Sequence, residues 1–285
     1  MTAIELRGAA LAKEINEELE LQVKNLAKMG KNICLASLQV GHDDSSEIYR
    51  NSQAKKAMAI GMEYKKVDLP GDSTEEEVLS AIKKLNDDAK VTGVILQTPL
   101  PGGINLNNCQ NAISPKKDVD GVTSANLGAV LSGRDGLYPS TALSAFELLK
   151  SSNVDLVGKE AVVIGRSAII AKPLTMMLIN KRVTVTVCHT GTSKAGKLEE
   201  HIRQAEILIV ATGQPEMVKA DTVKTGAIVI DVGINYVNDK IVGDVEQNEL
   251  LKEKVSYLTP VPGGVGPLTV TMLLKNCVLA AKANM

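Results

Sequence analysis

The chain has 285 residues, 44% of them hydrophobic, enough for two ordinary domains with a sizeable buried core. Its net charge of -1, with both signs spread along the chain, argues against a dedicated nucleic-acid or anionic-membrane surface. With Phe146 and five tyrosines as the only aromatics, extended base stacking is not expected. Cys34, Cys109, Cys188 and Cys277 are widely spaced, with no C-x-x-C, and read as reduced thiols of a cytoplasmic protein. The start, "MTAIELRGAALAKEINEE", is acidic and amphipathic, unlike a signal peptide, and no apolar run is long enough to span a bilayer.

In chain order, "GAALAKEINEELELQVKNLAKMG" predicts a helix ending at Gly30, and "NICLASLQVG" a buried strand. Asp44 and Glu47 have capping-box spacing for a helix running to Ile60. "EYKKVDLP" is a strand, "STEEEVLSAIKKLND" a capped helix and "VTGVILQTPLP" a third strand. This alternation is that of a parallel α/β sheet. A loop-rich section, Pro101 to Pro139, follows. The alternation then restarts: "STALSAFELLKSS" and "AKPLTMMLIN" are helical, "KEAVVIG" and "VTVTVCHT" are strands. After them come the helix "KLEEHIRQ", the strands "EILIVATG" and "GAIVIDVG", and a final apolar helix, "PLTVTMLLKNCVLAAKAN". The domain change is placed near residue 140.

"VVIGRSAIIAKP" is a strand, a Gly165 turn and a helix entrance, where free backbone N–H groups suit a pyrophosphate. It lacks G-x-G-x-x-G, so a plain tight β–α connection is the competing reading. An NAD site usually has an acid at the end of the next strand. Here "VCHTGTSK" has none, and Arg166, Thr190 and Lys194 offer a cation and a hydroxyl for a 2′-phosphate. NADP is therefore expected, the alternative being a solvated Arg166. His42, His189 and His201 have no metal-ligand spacing, and no G-x-S-x-G occurs, so metal and hydrolytic triad chemistry are discounted.

The ordered motifs "SSEIYRNSQAKKA", "VILQTPLP", "SPKKDVDG", "VVIGRS", "ATGQPEMVK", "GAIVIDVGIN", "VGDV" and "TPVPGGVGPLTV" resemble the bifunctional methylenetetrahydrofolate dehydrogenase/cyclohydrolase family over nearly the whole chain. The resemblance implies two α/β domains. Residues 1–139, joined by a last helix over 266–285, would form a substrate domain. Residues 140–265 would form a Rossmann-type NADP domain, with the folate in the cleft between the two. It also implies a homodimer acting on tetrahydrofolate derivatives; charge and composition already argue against a nucleic-acid or membrane partner.

By the same resemblance, Tyr49 lies against the folate and Gln97 is an active-site glutamine. Asp120 would accept two N–H donors from the pterin edge. Pro262, Gly263 and Gly264 would approach the substrate. Thr141, Gly165, Arg166, Ser167, His189, Thr190, Gly213 and Ile234 would border the cofactor.

The family pattern Tyr-x-x-x-Lys is broken here, because Gln53 stands at the lysine's place. Hydride loss needs positioning, whereas hydrolysis of the methenyl product needs an acid–base group, which an amide is not. The expectation is a dehydrogenase with weak or absent cyclohydrolase activity. The alternatives are a full bifunctional enzyme in which Lys56 or a water chain replaces the lysine, and a non-catalytic folate- or nucleotide-binding relative. A shikimate-type dehydrogenase would leave "KDVDG" and "PVPGGVGP" without a role. Three further departures are Ser140 and Ala142 beside Thr141, Thr98 after Gln97, and Ala171, whose methyl is expected to crowd a dinucleotide.

Overall fold

The computed structural model describes residues 2–283. In chain order the elements are β1 (Ile4–Glu5), α1 (Gly8–Lys28), β2 (Cys34–Val40), α2 (Asp44–Ala59), β3 (Glu63–Leu69), α3 (Glu75–Asp87), β4 (Gly93–Leu96), α4 (Leu106–Ala112), α5 (Ser124–Ser132) and α6 (Ser140–Ser151). The second half continues with β5 (Glu160–Ile164), α7 (Ala171–Ile179), β6 (Thr184–Cys188), α8 (Thr190–Lys194), α9 (Leu198–Gln204), β7 (Ile207–Val210), β8 (Ile228–Asp231), β9 (Asn235–Val237), β10 (Lys240–Val242), α10 (Glu249–Lys254), β11 (Tyr257–Leu258) and α11 (Val265–Ala283). Two compact units result: Lys13–Ser140 with Val270–Met285, and Met1–Ala12 with Thr141–Thr269.

In the first of these units, β2 lies between β3 and β4 in a parallel sheet. Alternation divides each strand between two cores. Ala36, Leu38 and Val40 of β2 pack with Val94 and Leu96 of β4 against Val78, Ile82 and Leu85 of α3. Leu35 and Ile95 face the other way, toward Leu19, Val23 and Leu26 of α1 and Leu273, Leu274 and Val278 of α11. Further along β2, that second face turns polar, at Ser37 and Gln39, which are nonetheless buried. Such groups need partners inside the fold, and α2 supplies them. Gly93 is required where it stands: a Cβ there would lie 2.4 Å from Val119 Cγ1.

The other unit carries a six-stranded parallel sheet in the order β1-β11-β8-β7-β5-β6, with β9 and β10 as a separate antiparallel hairpin. β5, β7 and β8 are almost wholly buried, as their runs of Val and Ile predict. Chain direction reverses about β5, so its carboxyl end is a switch point where α/β sheets bind ligands.

Some expectations change. The cap of α2 is Asp43, not Asp44: Asp43 has the extended backbone, and its Oδ1 accepts from Ser46 N at 2.8 Å. Glu47 instead pairs with Lys66. The stretch read as loop from 101 to 139 holds α4 and α5, capped by Asn105 and Thr123. Strand β6 ends at Cys188, and "TGTSK" is a helical turn. The two-residue strands β1 and β11 pair with each other, which brings the first residues to the second half of the chain.

Candidate functional site

Two cavities, one in each unit, collect most of the residues singled out by sequence. The first, about 350 Å³, is lined by Asp43, Ser46, Tyr49, Ile95, Leu96, Gln97, Thr98, Pro99 and Asp120. Helix α2 supplies Tyr49, and Gln97 follows the carboxyl end of β4. The Asp43 cap fixes the start of α2, and Ser46 Oγ ties its first turn to the Thr98 carbonyl at 2.8 Å. Burial pushes the Tyr49 phenol well up, the nearby Asp120 charge adds to this, and Gln53 works against it.

Gln53, one turn from Tyr49, is completely buried. Its Oε1 accepts from the Tyr64 hydroxyl at 2.9 Å and from Gln97 Nε2 at 3.0 Å. Gln97 Nε2 spends its other proton on Ser37 Oγ at 3.0 Å. That leaves Oε1 as the atom with which Gln97 meets the cavity. Gln53 Nε2 has no hydrogen-bond partner. An orphan buried amide donor is rare; Gln53 pulls the Tyr49 phenol down, so the Tyr49 oxygen lies close, but no hydrogen bond to Nε2 is closed.

Arg50 anchors the network from below. Its guanidinium is 2% exposed and donates to Ser37 Oγ, Gln39 Oε1, Asp68 Oδ1 and the carbonyls of Ser37 and Val67. All five donors of the fork are used. The structure thus fills position 53 with a fixed neutral amide. Lys56 is half-buried and does not line the cavity.

Asp120 sits on a loop built by its neighbours. Asp118 is fully buried and accepts from Val122 N, Thr123 N and Asn126 Nδ2. Asn276 of α11 donates to the carbonyls of Val119 and Tyr138, both at 2.8 Å. Gly121 has φ +71°, and a Cβ there would strike the Tyr138 carbonyl carbon at 2.4 Å. Ser140 Oγ donates to Asp120 Oδ1 at 2.6 Å. Burial raises the Asp120 carboxyl above its ordinary range, the Ser140 hydrogen bond opposes this, and the Asp118 charge adds to the rise. Tyr49, Gln97 and Asp120 therefore meet in one cavity, with Gln53 behind them. Sequence reasoning did not find Tyr64, Ser37, Arg50 or Asn276.

The second cavity, about 390 Å³, lies at the β5 switch point. Its lining includes Gly165, Arg166, Ser167, His189, Thr190, Ser193, Lys194 and Thr212, with Leu198 and Met217 as apolar walls. Gly165 has φ +143°, and a Cβ there would lie 2.5 Å from the Ala211 carbonyl oxygen. His189 caps α8, its Nδ1 accepting from Gly191 N at 3.1 Å, which places the ring proton on Nε2. Two cations and several hydroxyls face this space and no carboxylate lines it. That donor set fits the phosphates of a dinucleotide, a 2′-phosphate included.

Ala171 is fully buried and does not line this cavity; its methyl lies 3.4 Å from where a Gly165 side chain would begin. Thr141, Gly213 and Ile234 do not line this cavity. Gly213 belongs to its adjoining turn, held by the buried Asp244. Asp244 Oδ2 accepts from Thr212 N at 2.6 Å and Gly213 N at 3.0 Å, and Oδ1 from Asn235 Nδ2 at 2.9 Å.

Pro262, Gly263 and Gly264 form the turn before α11. The Gly263 carbonyl accepts from Gly8 N at 2.9 Å, and a Cβ at Gly264 would meet the Pro260 carbonyl at 2.7 Å. Among the described residues, no group of three or more His, Cys, Asp or Glu side chains is placed to hold a metal ion.

Comparison with known proteins adds the following. Residues 6–120 match the tetrahydrofolate dehydrogenase/cyclohydrolase catalytic domain, and residues 139–285 match the NAD(P)-binding domain of the same family. The bifunctional protein FolD of Acetivibrio thermocellus is 45% identical over 99% of this chain and 98% of its own. That of Bacillus subtilis is 44% identical over the whole of both chains. The crystal structure of the bifunctional FolD enzyme from Campylobacter jejuni superposes with a TM-score of 0.96 at 41% identity, covering 99% of this chain and 100% of that one. The Trypanosoma brucei enzyme, complexed with NADP cofactor and inhibitor, gives 0.94 at 34% identity, covering 100% and 99%.

Proposed function

Because this chain belongs to the tetrahydrofolate dehydrogenase/cyclohydrolase family, we propose that it is an NADP-dependent methylenetetrahydrofolate dehydrogenase that releases the methenyl product largely unhydrolysed. The observation that carries this reading is the fixed amide at position 53. Gln53 is buried and tied to Tyr64 and Gln97, where the family's catalytic lysine is expected.

The Tyr49 ring and the Gln97 carbonyl hold the folate by its bridge region, and Asp120 accepts the two N–H donors of the pterin edge. Arg166, Thr190 and Lys194 take the nucleotide's 2′-phosphate, and the Gly165 turn takes the pyrophosphate. Bound nicotinamide supplies the hydride acceptor. Loss of hydride leaves a cation delocalised over the two bridge nitrogens, and a neutral Gln53 does not oppose that charge as an ammonium would. Hydrolysis needs proton removal from water and protonation of a leaving nitrogen. Neither Gln53 nor Gln97 exchanges protons at neutral pH.

In this reading residues 1–139 and the last helix serve the folate, and 140–265 the nucleotide. The two compact units support that division, although Met1–Ala12 groups with the nucleotide half. A cytoplasmic homodimer is the assembly the family resemblance implies. No described helix is long and apolar enough to cross a membrane.

The test is nicotinamide reduction by purified protein with methylenetetrahydrofolate and either NADP or NAD. NADP is expected to be preferred, and Arg166→Ala to raise the KM for NADP far more than that for NAD. No reduction of either cofactor contradicts the dehydrogenase. Equal use of both, unchanged in the variant, contradicts the 2′-phosphate site.

A further inference from the structure

The orphan nitrogen of Gln53 is not an accident of packing, because its orientation is fixed by hydrogen-bond accounting. A glutamine amide flips freely unless its neighbours distinguish oxygen from nitrogen. Here both neighbours of the Gln53 oxygen are donors: the Tyr64 hydroxyl at 2.9 Å and Gln97 Nε2 at 3.0 Å. Gln97 alone does not settle the flip, since it too is an amide and turns with its partner. The Gln97 orientation is in turn held by Ser37 Oγ at 3.0 Å, an oxygen already engaged by Arg50 Nε at 3.2 Å. Tyr64 supplies an independent donor from another strand, β3. Its phenol is pushed up to about 12 by burial and stays protonated, and donors of Ser37 and Arg50 face its oxygen, which leaves the hydroxyl proton for the Gln53 oxygen.

We propose that Tyr64 is a positioning residue for folate binding: its hydroxyl locks the Gln53 amide with the NH₂ group turned away from the network and free for the bound ligand. Gln53 lies next to Tyr49, which lines the folate cavity and whose phenol it pulls down, and its Nε2 is a buried donor of the network with no hydrogen bond closed to the protein. The acceptor it awaits is an oxygen or nitrogen lone pair of the folate near its bridge, beside the Tyr49 hydroxyl that it already faces. A fixed donor loses no rotational freedom on binding, which is how preorganisation raises affinity. The inference rests on the folate reading of the cavity.

A double-mutant cycle tests the lock. Binding of 5-formyltetrahydrofolate is measured by calorimetry for the parent, Tyr64→Phe, Gln53→Ala and the double variant. Tyr64→Phe keeps the ring, so its packing is retained. It is expected to weaken binding about 3- to 10-fold, the range of one neutral hydrogen bond. In the Gln53→Ala background the same change is expected to do nothing further. A purely structural Tyr64 gives the same loss in both backgrounds, and that result overturns the proposal, as does a Tyr64→Phe protein that binds like the parent.

A second measurement needs no change at position 64. The side-chain ¹⁵N amide signal of Gln53, identified by its loss in Gln53→Ala, is expected to shift when 5-formyltetrahydrofolate is added. A signal that does not respond to bound ligand also overturns the lock. A parent that binds no reduced folate at all overturns the folate reading as well, and so is distinguished from a failure of the lock alone.

Discussion

On the reading proposed above, replacing Gln53 by lysine puts an acid–base group into a slot now shaped for an amide. The immediate loss is one acceptor with two donors attached, the Tyr64 hydroxyl and Gln97 Nε2. Each buried donor left unsatisfied costs about 1–3 kcal/mol. Both can adapt in part. The Tyr64 oxygen can accept from the ammonium, and Gln97 can turn its amide to offer Oε1, giving up its bond to Ser37 Oγ. What remains is one neutral hydrogen bond, about 0.5–1.5 kcal/mol, plus the cost of burying the ammonium. Gln53→Lys is therefore expected to be less stable by about 1–3 kcal/mol and still folded. Burial pushes such a lysine down from its ordinary pKa, toward the range where it can carry a proton both ways.

Hydrolysis of the methenyl compound is expected to rise by about 10²–10⁴-fold, with dehydrogenase turnover changed much less. The assay is decay of methenyl absorbance with uncatalysed decay subtracted, alongside a melting curve. A folded Gln53→Lys protein that still reduces NADP but hydrolyses no faster than the parent refutes the reasoning.

Two other perturbations bear on the sites. Ser140→Ala removes the hydrogen bond that favours ionised Asp120. The Asp120 carboxyl, already raised by burial and by Asp118, rises further, so folate affinity, which needs the ionised form, is lost at a higher pH than in the parent. In the free protein the sign is opposite: the raised carboxyl lends stability at low pH that is lost as pH rises through its pKa. A titration of folate Kd against pH shows the shift, and superimposable profiles contradict it. Asp244→Asn leaves one oxygen for the three donors of Thr212, Gly213 and Asn235. It is expected to cost about 1.5–3 kcal/mol in stability and to raise the KM for NADP by loosening the 212–213 turn. An unchanged KM with a normal melting temperature removes Asp244 from the cofactor site.

Much of the fold is legible in the sequence because its signals are local. The runs "ICLASLQV", "AVVIG" and "ILIVA" are buried strands alternating with helices, and Gly165 marks the turn that lines the second cavity. The short helices α4 and α5 escape because seven to nine residues carry too little periodicity. β1 and β11 escape because a two-residue strand is defined only by its distant partner. Tyr49, Gln97 and Asp120 are recognisable from their motifs, but the network behind them is not. Tyr64 reads as an ordinary strand residue in "EYKKVDL", and its link to Gln53 spans two elements. Arg50, amid the polar run "IYRNSQ", gives no sign that it is among the most buried side chains. Ser37 and Gln39 interrupt an apolar strand, and that interruption was the available signal for a polar site on one face.

The central claim is that dehydrogenation and hydrolysis are uncoupled in this chain. The most direct measurement follows methenyl- and formyl-tetrahydrofolate separately while the purified parent oxidises methylenetetrahydrofolate with NADP. Methenyl is expected to accumulate in step with reduced nicotinamide, and formyl product to form at close to the uncatalysed rate. Formyl product appearing as fast as nicotinamide is reduced, with no methenyl build-up, would contradict that claim.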